Sequence, residues 1–395
     1  MSKPPSESLG MQRQFQIYLA GLQRQTPERP LAFEAMERAA EAQMKPEAFA
    51  YVAGGAGSED TMTANREAFR RWRIVPRMMR DVARRELSVE LFGQRLPAPI
   101  LFAPIGVLGI VHEDAEEAVA RAARSLGLPQ ILSTVSSKPM ESVAEALGET
   151  PRWFQLYWGR DRDFTASLLR RAEAAGFSAL VVTLDTKLLA WRERDLQGAY
   201  LPFLFGDGLA NYFSDPVFRA ALPAPPEEDP FAAIRRFSET FSDPSLTWLD
   251  LAFLREHTRL PILVKGILHP DDARQALDHG VDGIIVSNHG GRQVDGALGA
   301  LEALAPVAEA VRDRVPVLFD SGIRRGADVF KALALGAKAV LLGRPYVYGL
   351  ALGGEAGVRD VALNLMADFD LTLALSGCAS TDDVCRDLLV RDGDL

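Results

Sequence analysis

Between Pro99 and Arg344 one pattern recurs eight times: a short apolar run, a polar or glycine-bearing turn, then a stretch with helix-spaced apolar residues. The runs are Pro99–Ala103, Pro129–Ser133, Trp153–Tyr157, Ala179–Leu184, Pro261–Lys265, Gly283–Ser287, Val315–Asp320 and Ala337–Gly343. Helical spacing follows several of them, over Ala115–Leu126, Asp163–Ala175, Asp271–His279 and Gly326–Leu335. Strands that are apolar throughout, alternating with helices, belong to a parallel sheet buried on both faces. Eight such units predict an α/β fold, a (β/α)8 TIM barrel. A doubly wound sheet is the alternative, but it uses fewer units and a glycine-rich first turn. No Gly-x-Gly-x-x-Gly follows the first run.

The 395 residues suffice for one large barrel domain. A net charge of −9 sets the overall field against nucleic acid and acidic surfaces. The two cysteines, Cys378 and Cys385, lack metal-ligand spacing and fall in a predicted helix near the C-terminus. They exclude a disulfide framework and suit a reducing cytoplasm. No apolar run reaches the ~20 residues of a membrane span. Met1–Gly10 is polar, lacks the apolar core of a signal peptide and reads as a disordered tail. Residues 1–30 are thus a tail and lead-in, and 31–390 a single barrel domain. Residues 11–98 read as mostly helical, through Phe33–Gln43 and Glu47–Val52. Val358–Leu389 reads as helices closing the outer ring.

One interval breaks the rhythm. About twice the usual number of residues separate Leu184 from Pro261, with seven prolines from Pro202 to Pro244 and the acidic run Glu227-Glu228-Asp229. A loop this long in a compact domain is usually functional or mobile. Following the fourth strand, it belongs at the catalytic mouth. Residues 196–246 are therefore expected to form a lid. A passive insertion, or aromatics (Tyr200, Phe203, Phe205, Tyr212, Phe213) packed between subunits, are the alternatives.

Barrel enzymes gather their chemistry where strands end. Here the ends carry Pro104-Ile105-Gly106, Ser133, Gln155 and Tyr157, Thr183 and Asp185, Lys265, Ser287 and His289, Asp320, and Gly343-Arg344. Residues two apart share a face, so Gln155/Tyr157, Thr183/Asp185 and Ser287/His289 form pairs of one deeper and one shallower group. Such a ring suits a large flat cofactor beneath a small substrate. After the seventh run comes Asp320-Ser321-Gly322-Ile323-Arg324, and after the eighth Gly343-Arg344. Amides and arginines at these two loops are the usual phosphate site of this fold. A glycine turn plus a surface arginine would explain either motif alone. His289 sits three residues from Arg292, with glycines between, so a proton acceptor stands beside an anion clamp. The other histidines (His112, His257, His269, His279) have no such neighbours. No His-Glu-x-x-His or similar cluster points to a metal.

These residues resemble the FMN-dependent α-hydroxy-acid oxidising enzymes over roughly residues 30–390. Ser287-Asn288-His289-Gly290-Gly291-Arg292-Gln293 matches that family's active-site signature. Phe154–Tyr157, Thr183–Thr186, Lys265–Ile267 and Asp320–Arg324 support it. Within the family the chain is most similar to the lactate 2-monooxygenase subgroup, through Tyr51–Glu59, Ala103–Gly106, Trp191–Leu196, Asn211-Tyr212 and Asp215–Phe218.

The resemblance implies an FMN cofactor and oxidation of an L-2-hydroxy acid, such as L-lactate, to the keto acid. Oxygen would be the electron acceptor, with oxidative decarboxylation as one outcome; peroxide release or a quinone acceptor are others. It implies that His289 takes a substrate proton, that Asp185 supports the imidazolium and that Tyr157 bonds the hydroxyl or keto oxygen. Arg292 and Tyr51 would hold the carboxylate, with Arg192 adding charge. Pro104, Ile105, Gly106, Ser133, Gln155, Thr183 and Ser287 would line FMN, with Lys265 at its N1–O2 edge. Asp320, Ser321, Gly322, Ile323, Arg324, Gly343 and Arg344 would bind the ribityl chain and phosphate. It also implies a homo-oligomer, a tetramer or octamer.

Lys187, Leu188–Ala190 and Tyr200–Asn211 depart from the lactate-specific pattern, which bears on substrate size. Gly106, where oxidase relatives often carry alanine, is expected to leave space beside the ring. A phosphate-ligand isomerase without flavin and a non-catalytic flavin-binding protein are the competing readings.

Overall fold

The structure, a computed structural model, describes residues 8–393. All eight runs become parallel strands of one closed barrel: β1 (Ile100–Phe102), β2 (Gln130–Ser133), β3 (Arg152–Leu156), β4 (Leu180–Thr183), β5 (Ile262–Ile267), β6 (Gly283–Val286), β7 (Val317–Phe319) and β8 (Ala339–Leu342). Strand β8 pairs with β1 and closes the cylinder. Alternate residues explain the unbroken apolar runs. Leu101, Ile131, Trp153, Val181, Leu263, Ile285, Leu318 and Leu341 pack inside the barrel. Ile100, Leu132, Phe154, Val182, Ile284 and Val340 join the larger outer core that the helices cover. A hairpin (Val89–Leu91 with Gln94–Leu96) closes the lower end, with Phe92 edge-on against Trp153 at 5.6 Å.

Four helices precede the barrel: α1 (Leu9–Leu22), α2 (Phe33–Gln43), α3 (Pro46–Ala53) and α4 (Asp60–Arg70). The tail expected over Met1–Gly10 lies outside the described residues as far as residue 7. Its last part is a correction: Leu9 begins α1 and Gly10 is buried. Gly10 N donates to Asp370 Oδ2 (2.9 Å), and a Cβ there would collide with Leu371, so glycine permits the close approach of the last helix.

That last helix, Arg344–Leu375, kinks at Gly353-Gly354. The helices expected over Val358–Leu389 stop there. Beyond it are single turns and a strand, Leu389–Arg391, antiparallel to Trp72–Ile74. Neither cysteine is helical, because Gly377 (φ 78) ends the helix before Cys378.

The insertion after β4 is mostly short helices. Pro216 and Pro230 open two of them, behind Asp215 and Asp229, whose carboxylates accept from first-turn amides that have no partner within the helix. Its aromatics pack within the chain. Phe203, Tyr212, Phe218 and Phe237 are buried, with Tyr212 lying 4.6 Å from Phe164 and 4.8 Å from Phe237. Phe205 stacks on Tyr200 and stays exposed. Asn211 ties the insertion to the β2 end through Met140 N (2.9 Å), Ser136 Oγ (3.0 Å) and the Thr134 carbonyl (3.1 Å).

Candidate active site

Strand β6 ends at Val286, and the chain then reverses through three left-handed residues, His289 (φ 57), Gly290 (φ 66) and Gly291 (φ 77). The glycines take this geometry freely; the histidine is held in it. Asn288 caps the turn at Gly291 N (3.1 Å) and forms a reciprocal amide pair with Asn65 of α4 (2.9 and 2.7 Å).

The turn aims His289 Nδ1 at Asp185 Oδ1, 2.9 Å away, just past the end of β4. Thr186 Oγ1 donates to the same carboxylate oxygen at 3.1 Å. With Asp185 as acceptor the proton sits on Nδ1, which leaves the Nε2 lone pair free. Nε2 lies 3.5 Å from Tyr157 Oη. Burial pushes the His289 pKa below its usual value, although Asp185 pulls the other way. Burial also works against Asp185 ionisation, but His289, Lys265 and Thr186 outweigh it and hold the carboxyl below its ordinary range. A neutral base backed by an ionised carboxylate results.

Arg292 reaches the same space from the end of the turn. Its Nη1 donates to the carbonyls of Tyr51 (2.6 Å) and Gly54 (2.7 Å) at the end of α3, and its guanidinium lies 5.0 Å from the Tyr51 ring centre. No carboxylate among the described residues forms an ion pair with it. Burial, then the neighbouring Arg192, lower its pKa to about 9, so it stays charged at neutral pH. Arg192 holds the turn from the other side, through the Arg292 carbonyl (3.1 Å) and Gln293 Oε1 (3.0 Å).

Below these groups the β-strand ends interlock. Ser133 Oγ donates to Gln155 Oε1 (3.1 Å), and Gln155 Nε2 to Thr183 Oγ1 (3.0 Å). Lys265 Nζ is 2.8 Å from Ser287 Oγ and 3.0 Å from Asp320 Oδ2. Burial favours its neutral form, but Asp320 and Asp185 outweigh that and raise its pKa.

At the far end the Arg324 guanidinium carbon sits over the Phe33 ring, 3.9 Å from its centre. Among the described residues the Arg324 guanidinium makes one hydrogen bond, from Nη1 to the adjacent carbonyl of Ile323 (3.1 Å), while the backbone N–H of Arg324 donates to Asp328 Oδ2 (2.9 Å). Burial, then Arg344 and Arg66, push its pKa down to about 9. Arg344 differs: its N–H groups bond the carbonyls of Val52, Gly290 and Gly54 at 3.0, 2.9 and 2.8 Å. It lends charge and stiffens the loops, while Arg324 keeps donors free.

One cavity, with an empty volume of about 1230 Å³ including its open mouth, joins these parts. Tyr51, Tyr157, Arg192, His289 and Arg292 line it together with Pro104, Ile105, Gly106, Thr183 and Lys265. So do Asp320, Ser321, Gly322, Ile323, Arg324, Gly343 and Arg344. Of the residues expected at the site, Ser133, Gln155, Asp185 and Ser287 stand behind this wall, bonded to residues that line it.

The insertion contributes Phe203 and Phe241 to the cavity, and Leu189 just before it, Thr186 and Val135 also line it. None of these five was legible as a site residue, although Thr186 adjoins Asp185 in the sequence. Phe33, beneath Arg324, was likewise missed.

The space expected at Gly106 is absent. A Cβ there would collide with the Val135 carbonyl and lie 2.6 Å from its Cγ2, because Val107 N is bonded to that carbonyl at 2.8 Å. Glycine at this position admits the neighbouring loop rather than opening the pocket.

The model of the FMN-dependent dehydrogenase family matches residues 40–391. The chain belongs to that family. It is 45% identical over 364 residues to an L-lactate oxidase of Lysinibacillus sphaericus, covering 92% of this chain and 93% of that one. It is 48% identical to the FMN-dependent alpha-hydroxy acid dehydrogenase qulF of Penicillium citrinum, over 90% of this chain and 89% of that one. Among solved structures, mandelate oxidase with (S)-4-hydroxymandelic acid aligns with a TM-score of 0.81 at 39% identity, over 91% of this chain and 98% of the other.

The chain is thus an FMN-dependent enzyme that oxidises 2-hydroxy acids. The residues fit the cofactor. A half-buried guanidinium with free donors at one end of the cavity suits a phosphate. A buried, charged lysine amid hydrogen-bonding strand ends suits a polar ring edge.

Proposed function

We propose that this enzyme oxidises L-lactate, or an L-2-hydroxy acid of similar size, to the 2-keto acid with oxygen as the electron acceptor. The observation that carries this reading is the convergence of the His289–Asp185 pair and the unpaired Arg292 on one cavity. When bound, FMN supplies the two-electron acceptor. Arg292 and Tyr51 fix the carboxylate, and Arg192 adds positive charge beside it. Tyr157 Oη holds the hydroxyl oxygen as it becomes a keto oxygen. His289 Nε2 takes the proton released, and Asp185 stabilises the imidazolium. Lys265, a buried cation in the cavity wall, would offset negative charge on the bound cofactor. Arg324, with the Ser321–Ile323 backbone, holds the phosphate end.

The small substrate is favoured by the wall that Leu189, Phe203, Phe241 and Tyr157 build around the space near His289. The oxygen acceptor is supported by relatives named as oxidases. Release of keto acid and hydrogen peroxide is the simplest outcome. Oxidative decarboxylation, in which peroxide converts the keto acid to carbon dioxide and the shorter acid, is the second reading. The insertion's aromatic side chains Phe203 and Phe241 in the cavity wall support it, because a walled cavity delays escape of the keto acid.

Five apolar residues on the outer face of α1 (Met11, Phe15, Tyr18, Leu19, Leu22), all more than half exposed, support self-association of the chain. Two unpaired thiols suit a cytoplasmic location.

The test is an anaerobic screen of L-2-hydroxy acids by loss of flavin colour, followed by quantification of keto acid, peroxide and decarboxylated acid after oxygen is admitted. Lactate should bleach the flavin fastest. His289→Gln should retain bound FMN and lose bleaching; bleaching at the parent rate would refute the assigned base.

A further inference from the structure

We infer that Gly266 is a positioning residue for the catalytic pair: its missing side chain is the seat in which the Asp185 carboxyl group rests. The inference rests on the proposed roles of His289 and Asp185.

The seat is made by an irregularity in β5. Thr183 of β4 pairs with Lys265, and Lys265 pairs with Ile285 of β6. The next residue of β6, Val286, pairs with Ile267, not Gly266. Gly266 is therefore the extra residue of a bulge, with φ 104, a region that residues bearing a Cβ rarely adopt. The bulge sits level with the end of β4, where Leu184 N still donates to the Lys265 carbonyl at 2.9 Å. Asp185 is the next residue, and its side chain crosses the bulge.

A Cβ on Gly266 would lie 2.7 Å from Asp185 Cβ, 2.8 Å from Cγ and 2.9 Å from Oδ2. All three contacts are shorter than packed atoms tolerate, and all three belong to the carboxylate side chain that accepts from His289 Nδ1.

The bonding of Asp185 explains why contact matters here. Its Oδ1 is held by His289 Nδ1 and Thr186 Oγ1. Its Oδ2 is buried and has no hydrogen-bond partner among the described residues. Nothing directional fixes that second oxygen. Its place is set by close packing on the glycine backbone and by the field of Lys265, the residue beside Gly266. Filling the seat pushes the carboxylate off its line to Nδ1, and a displacement of about 1 Å in such a contact costs on the order of a hundredfold in rate. The bulge thus does two jobs with adjacent residues: Lys265 points into the cavity, and Gly266 leaves room for the carboxylate behind the base.

The test is Gly266→Ala in the FMN-loaded enzyme, alone and combined with Asp185→Gly, which removes the three atoms nearest the new methyl. Anaerobic flavin reduction is followed against pH, and FMN affinity is measured separately. With Asp185 present, Gly266→Ala should slow reduction roughly ten- to a hundredfold. It should also shift the acid limb of the rate profile to lower pH, since Asp185 no longer raises the His289 pKa, and leave FMN affinity unchanged. In the Asp185→Gly background the same change should have little further effect on rate.

Equal slowing in both backgrounds, or slowing without movement of the acid limb, overturns the inference. If Gly266→Ala alone does not fold, the double variant decides. Folding and FMN binding restored by Asp185→Gly support the seat, while a double variant that still fails assigns the glycine to backbone strain and overturns it. If Asp185→Gly alone reduces flavin at the parent rate, the roles given to the pair fail, a result distinct from any outcome at Gly266.

Discussion

Replacing Arg292 with lysine separates charge from geometry at the proposed carboxylate clamp. The Nη1 group is already committed to the Tyr51 and Gly54 carbonyls at 2.6 and 2.7 Å. Among the described residues Nε and Nη2 have no acceptor, so one edge of the guanidinium is free for a bidentate carboxylate. A lysine ammonium keeps the positive charge but presents a single point in place of that edge. It forfeits at least one charge-assisted hydrogen bond, worth about 1.5–3 kcal/mol. At about 1.4 kcal/mol per decade, the substrate dissociation constant should rise ~10- to 150-fold.

Anaerobic stopped-flow reduction reads this directly, because the dependence on substrate concentration gives binding and the plateau gives the limiting rate. Binding should weaken far more than the plateau falls, since His289 and Asp185 are untouched. A dissociation constant within about threefold of the parent, or a loss confined to the plateau, would refute the clamp.

Three further outcomes are expected. Phe33→Leu removes the ring beneath Arg324, an interaction worth ~0.5–2 kcal/mol. FMN rebinding to the apoprotein, followed by quenching of flavin fluorescence, should weaken about 2- to 30-fold with the loaded enzyme's turnover unchanged. Gly106→Ala forces a methyl group against Val135 and should destabilise the holoenzyme by ~1–3 kcal/mol, checked by chemical unfolding; unchanged stability would mean that the Val107–Val135 bridge yields freely. The base works only when neutral, and its pKa is lowered from the usual 6.5, so the rate of flavin reduction should stay flat down to that pH and fall only beneath it. A limb above the ordinary histidine range would contradict the burial argument.

Much of the architecture was legible because it rests on local pattern. Eight unbroken apolar runs became eight strands, and Gln155, Thr183, Ser287 and Asp320 fell within a residue of strand ends as that pattern required, while β5 ran two residues past Lys265. The insertion was misread in texture. Its prolines suggested a loose loop, yet Asp215-Pro216 and Asp229-Pro230 are helix starts, and the aromatics between them form a packed cluster. Gly10 and Gly106 misled for a shared reason. A glycine shows in the sequence only as permission for close approach, and what approaches it is a segment distant along the chain.

What the sequence determined by itself was the barrel and the identity of the chemical groups at its mouth. Hydrophobic periodicity and strand-end position are properties of short stretches, and they survive without any knowledge of the partner segments. The tertiary structure alone decided which donors remain free and which are already bonded. It left Arg324 open and Arg344 satisfied, placed Phe33 under the Arg324 guanidinium and set the Asp185 carboxyl against Gly266. Those outcomes depend on distances between residues far apart in the chain, which only the closing of the cylinder fixes.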